Sequence, residues 1–454
     1  MNYLSKRYLR PLVSCLWFLA SSPQVFSAEP LPLSSSYWND PAFLKSFNGS
    51  YRIEARIEPS VSTAERGLLV EIGALMADGK RDAALAKLTS SPLTEKSPAL
   101  TFNLGNLHFE SGETKKAIEA YTTALKDYPS FRRAHRNLAL AHIRESDLAK
   151  ALTHLTEAIR LGDSEGSTYG LLGYCRLVRK EWASALQSYR LAQITEPGVP
   201  EWKAGIAQCL QNLDAKQEAA ALLDEVIRQR PSESSYTVLQ ANIFLELDQP
   251  GSAAKALELP FRLGKLDPDP TLLLADLHLR ADRKTAAENA IAAAFSTEAK
   301  PGTQSILRLI ATASRHSDWL LVKDLLEKAG EDNSRELRLA RAGYLIDSGE
   351  DAAAGASLLK KLTEEDPTDG KALLALANHL VSTAQPDSAE LLFERASIDP
   401  ATSYEAHIGL ARLHVSQSRY ADAVKAIDAA LTLRPSDDLR TYREALLNTL
   451  EASQ

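Results

Sequence analysis

From residue 98 to residue 231 the large and small apolar positions of the chain recur every 34 residues, with no insertion or deletion. Counted from Pro98, position 7 is large, position 8 small, 20 small, 24 large and 27 small, and position 32 breaks the run. The first unit reads Leu104, Gly105, Ala117, Tyr121, Ala124, Pro129, and the second Leu138, Ala139, Ala151, Leu155, Ala158, Asp163. The third reads Leu172, Gly173, Ala185, Tyr189, Ala192, Pro197, and the fourth Ile206, Ala207, Ala219, Leu223, Val226, Pro231. Each unit predicts two helices with a turn near Gly112, Ser146, Lys180 or Asp214. Small residues at 8, 20 and 27 let the two helices approach, and large ones at 7 and 24 fill the space between them. Proline at 32 stops the second helix. One hairpin cannot bury its own apolar face, so neighbours must stack.

The pattern continues with decay. The unit from Ser234 keeps Ala241, Ala253 and Leu257, but Pro260 is expected to interrupt its second helix. The unit from Pro268 has Leu274, Ala275, Ala287, Ile291 and Ala294. Residues 303–335 and 336–369 are degenerate, with turns expected at "HSDW" and "DSGED". Leu376, Ala377, Ala389, Phe393 and Ala396 restore the pattern, and the unit from Tyr404 carries Leu410, Ala411, Ala423, Ile427, Ala430 and Pro435. Residues 67–91 read as a further hairpin and 438–452 as an amphipathic capping helix.

This periodicity resembles the tetratricopeptide repeat family. The resemblance implies an all-α fold: a right-handed α–α superhelix of about eleven hairpins with a C-terminal capping helix. The expected divisions are a signal peptide over 1–28, an aromatic and proline-containing arm over 29–64 and a degenerate hairpin over 65–97. Repeat arrays over 98–267 and 268–437 follow, and then the cap over 438–454.

Composition narrows the class. The formal charge of −7 argues against a general nucleic-acid or anionic-membrane binder. Lys6, Arg7 and Arg10 precede the apolar stretch "LVSCLWFLA", which is too short to span a bilayer and has the form of an export signal. Cleavage after Ser27 or after Ala28, an uncleaved anchor, and a lipoprotein at Cys15 all stay open. The expected location is the periplasm, with an N-terminal anchor or secretion as alternatives. In the arm, Tyr37, Trp38, Phe43, Phe47 and Tyr51 cluster near an Asp40-Pro41 helix start. Two readings are open for it: an arm docked on the first hairpin, or a segment that docks a partner.

No glycine-rich phosphate loop, C-x-x-C pair or zincin helix occurs, so neither a catalytic residue nor a cofactor is expected. The repeat register places His108, His142, His278 and His414 at position 11 and His135 and His407 at position 4, where packing side chains stand. His135 and His142 lie two turns apart, roughly 10 Å, too far to share a metal ion. Cys175 and Cys209 occupy equivalent places in adjacent units. Stacked helices sit about 8–10 Å apart, beyond disulfide reach, so two buried free thiols are expected.

Binding is expected on the concave face formed by the first helices. Its candidate residues are Phe102, Asn106, Phe109, Arg133, Arg136, Asn137, Leu140, Arg144, Tyr174 and Leu177. Aromatic and apolar groups beside arginines suit an extended peptide with an acidic or C-terminal carboxylate; a merely solvated groove is the alternative. Asn106 and Asn137 match the asparagines of the carboxylate-clamp sub-family. Phe102, Ser167 and Leu171 stand where that clamp has lysine or arginine, so it is incomplete.

A narrower resemblance covers roughly residues 37–280. "DPAFLKSFNGSYRIEARIEPSVS", "TFNLGNLHFESG", "TYGLLGYCRL" and "EWKAGIAQCL" look like exported repeat proteins that accompany ExbB/ExbD/TonB energy-transducing complexes. It implies a non-catalytic periplasmic adaptor, peripheral to the membrane at most, with a protein partner among those components. The alternatives are an assembly factor for pili, outer-membrane proteins or exopolysaccharide, and a non-catalytic subunit of a cell-wall enzyme complex.

Overall fold

The computed structural model describes residues 58–330 and 333–453. The expected signal peptide and most of the expected arm lie outside the described residues. Those described form twenty-three α-helices, one 3-10 turn at Thr94–Lys96 and no strand. They divide between Lys265 and Leu266 into two compact units. No described helix is long and apolar enough to cross a membrane.

The unit ending at Lys265 contains α1 (Thr63–Ala77), α2 (Arg81–Ser90), α3 (Pro98–Glu110), α4 (Thr114–Asp127), α5 (Arg132–Arg144) and α6 (Leu148–Arg160). It continues with α7 (Gly166–Val178), α8 (Trp182–Thr195), α9 (Pro200–Asn212), α10 (Lys216–Gln229), α11 (Ser234–Glu246) and α12 (Pro250–Arg262). Consecutive helices pair as hairpins, and each second helix packs on the first helix of the next hairpin. The unit from Leu266 contains α13 (Pro268–Arg280), α14 (Lys284–Phe295), α15 (Thr303–Arg315), α16 (Trp319–Lys328), α17 (Arg335–Asp347) and α18 (Ala352–Glu365). It ends with α19 (Gly370–Ser382), α20 (Pro386–Ala396), α21 (Ser403–Ser416), α22 (Tyr420–Leu433) and α23 (Asp437–Ser453). Twenty-three helices make eleven hairpins and one unpaired terminal helix, as the periodicity predicts. Leu439, Tyr442 and Leu446 of α23 join the buried cluster that contains Ile427 and Ala430 of α22.

The small residues act as close contacts. Ala117, Ala151, Ala185, Ala219 and Ala253, all at position 20, are fully buried. A Cβ added to Gly105 would lie 2.6 Å from the Tyr121 ring. Tyr189 is wedged between Gly173 of its own hairpin and Gly205 of the next, where added Cβ atoms would lie 2.9 and 2.6 Å from the ring. Cys175 and Cys209 are buried free thiols, and burial pushes both up to about 12.

Every hairpin turns through one left-handed residue. Ser146 has φ 61°, Lys180 61°, Asp214 63° and Ala384 57°. Gly79, Gly112, Asp248, Asp282, Ser317, Gly349 and Ser418 take the same conformation. At α5 the Ser146 N–H donates to Ile143 O (2.9 Å) and the Asp147 N–H to His142 O (2.8 Å). This is the Schellman closure, which satisfies the last carbonyls of the first helix. The turns in "HSDW" and "DSGED" fall where expected, at Ser317 and Gly349.

Pro260 does not interrupt its helix. α12 runs through it to Arg262. The proline stands in the last turn, is buried, and its carbonyl accepts the Lys265 N–H at 2.9 Å in the helix-ending turn through Gly264. Its missing N–H forfeits one intrahelical bond, two residues before the helix ends.

Candidate functional site

The first helices α3, α5 and α7 carry all ten expected binding residues. Phe102, Asn106, Phe109, Arg136, Asn137, Leu140 and Leu177 are buried. Tyr174 is half-buried and Arg144 is exposed. Burial raises the affinity of the Tyr174 hydroxyl for its proton.

The structure brings several of these residues together. The Phe102 ring lies 4.7 Å from that of Phe131, which caps the start of α5, and 5.6 Å from that of Tyr121. The Tyr121 hydroxyl donates to Asn106 Oδ1 (2.8 Å), and Asn137 Nδ2 donates to the same oxygen (2.9 Å). The two asparagines of the incomplete clamp thus tie α3 to α5. Burial drives the Tyr121 pKa upward, so the phenol stays protonated as a donor.

The arginines differ in role. The Arg133 guanidinium stands 5.4 Å from the Phe102 ring centre and 5.8 Å from that of Phe131. Its Nε and Nη2 both donate to Glu58 Oε2 at 2.9 Å. Arg136 is 1% exposed and donates to Glu165, with Asp163 Oδ2 3.9 Å away. Asp163 also accepts from Thr168 Oγ1 at 3.0 Å. Arg136 therefore joins α5 to the turn before α7. The Arg144 guanidinium carbon stands over Phe109, 3.9 Å from the ring centre, within cation–π range. The face offers two arginine–aromatic pairs on neighbouring first helices, each suited to a carboxylate.

Three features escaped the sequence reading. Glu58, placed in the expected arm, is 1% exposed and pairs with Arg133, 75 residues away. His154 of α6 stacks on His142 (ring centres 5.7 Å apart) and meets His135 Nδ1 through its own Nδ1 at 3.0 Å. His135 Nε2 donates to Pro129 O at 3.0 Å, so His135 Nδ1 accepts and His154 Nδ1 donates. Burial, then the neighbouring ring charges, lowers His154 to about 4, and burial lowers His135 and His142. Among the described residues no group of three or more such side chains could hold a metal ion. In the second unit Asp276 is buried and accepts from Thr312 Oγ1 and from Arg280 Nη2 (2.8 Å). Arg315 Nη2 donates to the same Thr312 hydroxyl at 2.8 Å. Asp276 and Arg280 lie before Asp282, where the 34-residue spacing of the turns still holds, and Thr312 and Arg315 lie beyond it.

Residues 102–166 and 374–438 match the tetratricopeptide repeat family. Hsp70-Hsp90 organizing protein 2 of Arabidopsis thaliana is 22% identical over 172 residues, covering 36% of this chain and 30% of that protein. Hsp70-Hsp90 organizing protein 3 of the same plant is 24% identical over 130 residues, covering 29% of this chain and 23% of that protein. The chain thus spans less than a third of the curated relatives it matches. Among solved structures, a tetratricopeptide repeat protein from Parabacteroides merdae ATCC 43184 is 17% identical with a TM-score of 0.42, covering 54% of this chain and 98% of that one. Yeast Tom70 is 16% identical with a TM-score of 0.42, covering 85% and 96%.

Proposed function

We propose that this chain is a non-catalytic protein-binding scaffold whose α3–α5–α7 face takes an extended, acidic segment of a protein partner. The observation that carries this reading is Arg133. It lies against two aromatic rings and already holds a carboxylate through two N–H groups. Arg144 over Phe109 provides a second arginine on the same helix, exposed to solvent. Buried asparagines and aromatics beneath them fix the backbone of the face. Such pre-organisation lowers the entropy cost of binding an extended chain.

The partner belongs to a periplasmic energy-transducing complex of the TonB/ExbB/ExbD type. The export-signal pattern at the N-terminus and the segments resembling accessory proteins of those systems support this setting. Crosslinked capture from native envelopes tests it, with the wild-type chain beside Arg133→Glu/Arg144→Glu. Recovery of TonB, ExbB or ExbD with wild type, and its loss in the double variant at unchanged helicity, is the expected result. Recovery of pilus, cell-wall or polysaccharide machinery instead would overturn the partner assignment. Equal recovery by both chains would overturn the face.

A further inference from the structure

In a stack of hairpins each element touches its neighbours, so the stretch before α1 should meet α1 and α2. Glu58 departs from this. It lies five residues before α1 and bonds Arg133 of α5, two hairpins further on. Five extended residues span at most about 18 Å, close to two helix packing distances of about 8–10 Å. The stretch entering α1 therefore runs back along the first-helix face. Glu58 and Pro59 are both buried there.

We infer that Glu58 is a resident ligand of this face: the chain's own carboxylate occupies the Arg133 subsite, and an acidic partner segment must displace it. This rests on the peptide-binding reading above and names its built-in competitor. The subsite consists of Arg133 with Phe102 and Phe131 against its guanidinium. Such a half-buried, aromatic-flanked arginine selects an extended segment bearing a carboxylate over a neutral one. The resident fit is incomplete. Both N–H groups of Arg133 converge on Oε2, while Glu58 Oε1 is buried with no hydrogen-bond partner. A buried acceptor left unmade is costly, so a ligand that satisfies both oxygens displaces Glu58.

The test uses the full-length chain and a fluorescein-labelled peptide of residues 52–62, read by anisotropy. The wild-type chain should bind this probe weakly. Glu58→Gln, which silences the resident carboxylate at constant size, should bind it at least ten-fold more tightly. A probe carrying Glu58→Gln should lose that gain, and Arg133→Glu chains should bind neither probe. Equal affinity of the wild-type and Glu58→Gln chains, with binding abolished by Arg133→Glu, would overturn the resident ligand and leave the binding face standing. Binding indifferent to Arg133→Glu, or absent from every chain, would overturn both. Amide exchange over residues 58–62 gives a second readout: Glu58→Arg should lose protection and Glu58→Arg/Arg133→Glu should regain it. Failure of the double variant to recover would also count against the pairing.

Discussion

Single residues decide how the hairpins close. Ala384 sits at φ 57°, a conformation that costs an L-residue roughly 1–2 kcal/mol. Glycine pays no such penalty, though it loses more chain entropy. Ala384→Gly should therefore stabilise the fold by about 0.5–1 kcal/mol, seen as a higher denaturation midpoint. A lower midpoint would mean that the residue is not strained. Leu172, at position 7 of its unit and 6% exposed, fills the gap between α7 and its neighbours. Leu172→Ala should cost about 2–5 kcal/mol, and a loss under about 0.5 kcal/mol would contradict the register. These positions were legible because packing between stacked helices repeats: the same shape problem returns every 34 residues and has the same answer. Glu58 was illegible for the opposite reason. Its partner lies 75 residues away, and no period connects them.

At the level of elements, the turn residues show why the pattern fades after Asp282. Left-handed residues follow one another at 34-residue spacing from Gly112 through Asp282, and then fall at Ser317, Gly349, Ala384 and Ser418. One residue is gained, two are lost and one is gained again, so a fixed 34-residue ruler misreads helices that are all present. The histidines of α5 and α6 show a second limit. Their spacing on α5 excludes a shared metal by helix geometry, but His154 comes from the second helix, and only the pairing of α5 with α6 brings the three rings together. The cluster makes stability depend on pH. Burial lowers all three from the ordinary value of 6.5, His154 to about 4. The unfolded chain thus binds more protons, and this contribution is present above about pH 6.5 and lost as pH falls toward about 4. Glu157, Arg160, Asp147, Lys150 and Glu145 are the charges that act on these rings. His154→Gln should show a smaller drop in denaturation midpoint between pH 7 and pH 4.5 than wild type. Equal drops would remove the cluster from the acid response.

Across the whole molecule, the repeating residues specify a scaffold, and the residues that do not repeat specify what it holds. Arg133, Arg144 and Glu58 have no counterpart of equal role in the neighbouring hairpins, and they carry the proposed recognition. Arg136, chosen from sequence as a groove residue, works inside the protein instead, tying α5 to Glu165 and Asp163. Its reversal would test folding and not binding, which is why the variants above leave it intact. The most direct test of the central claim is photo-crosslinking in native envelopes, with a photoreactive residue placed singly at Tyr174 or Arg144 on the first-helix face or at Ile194 on α8. Ile194 is 77% exposed and lies on a second helix. Adducts with a protein partner from positions 174 and 144, and none from 194, are what the binding-face account predicts. A partner adduct from 194 without one from 174 or 144 would contradict it.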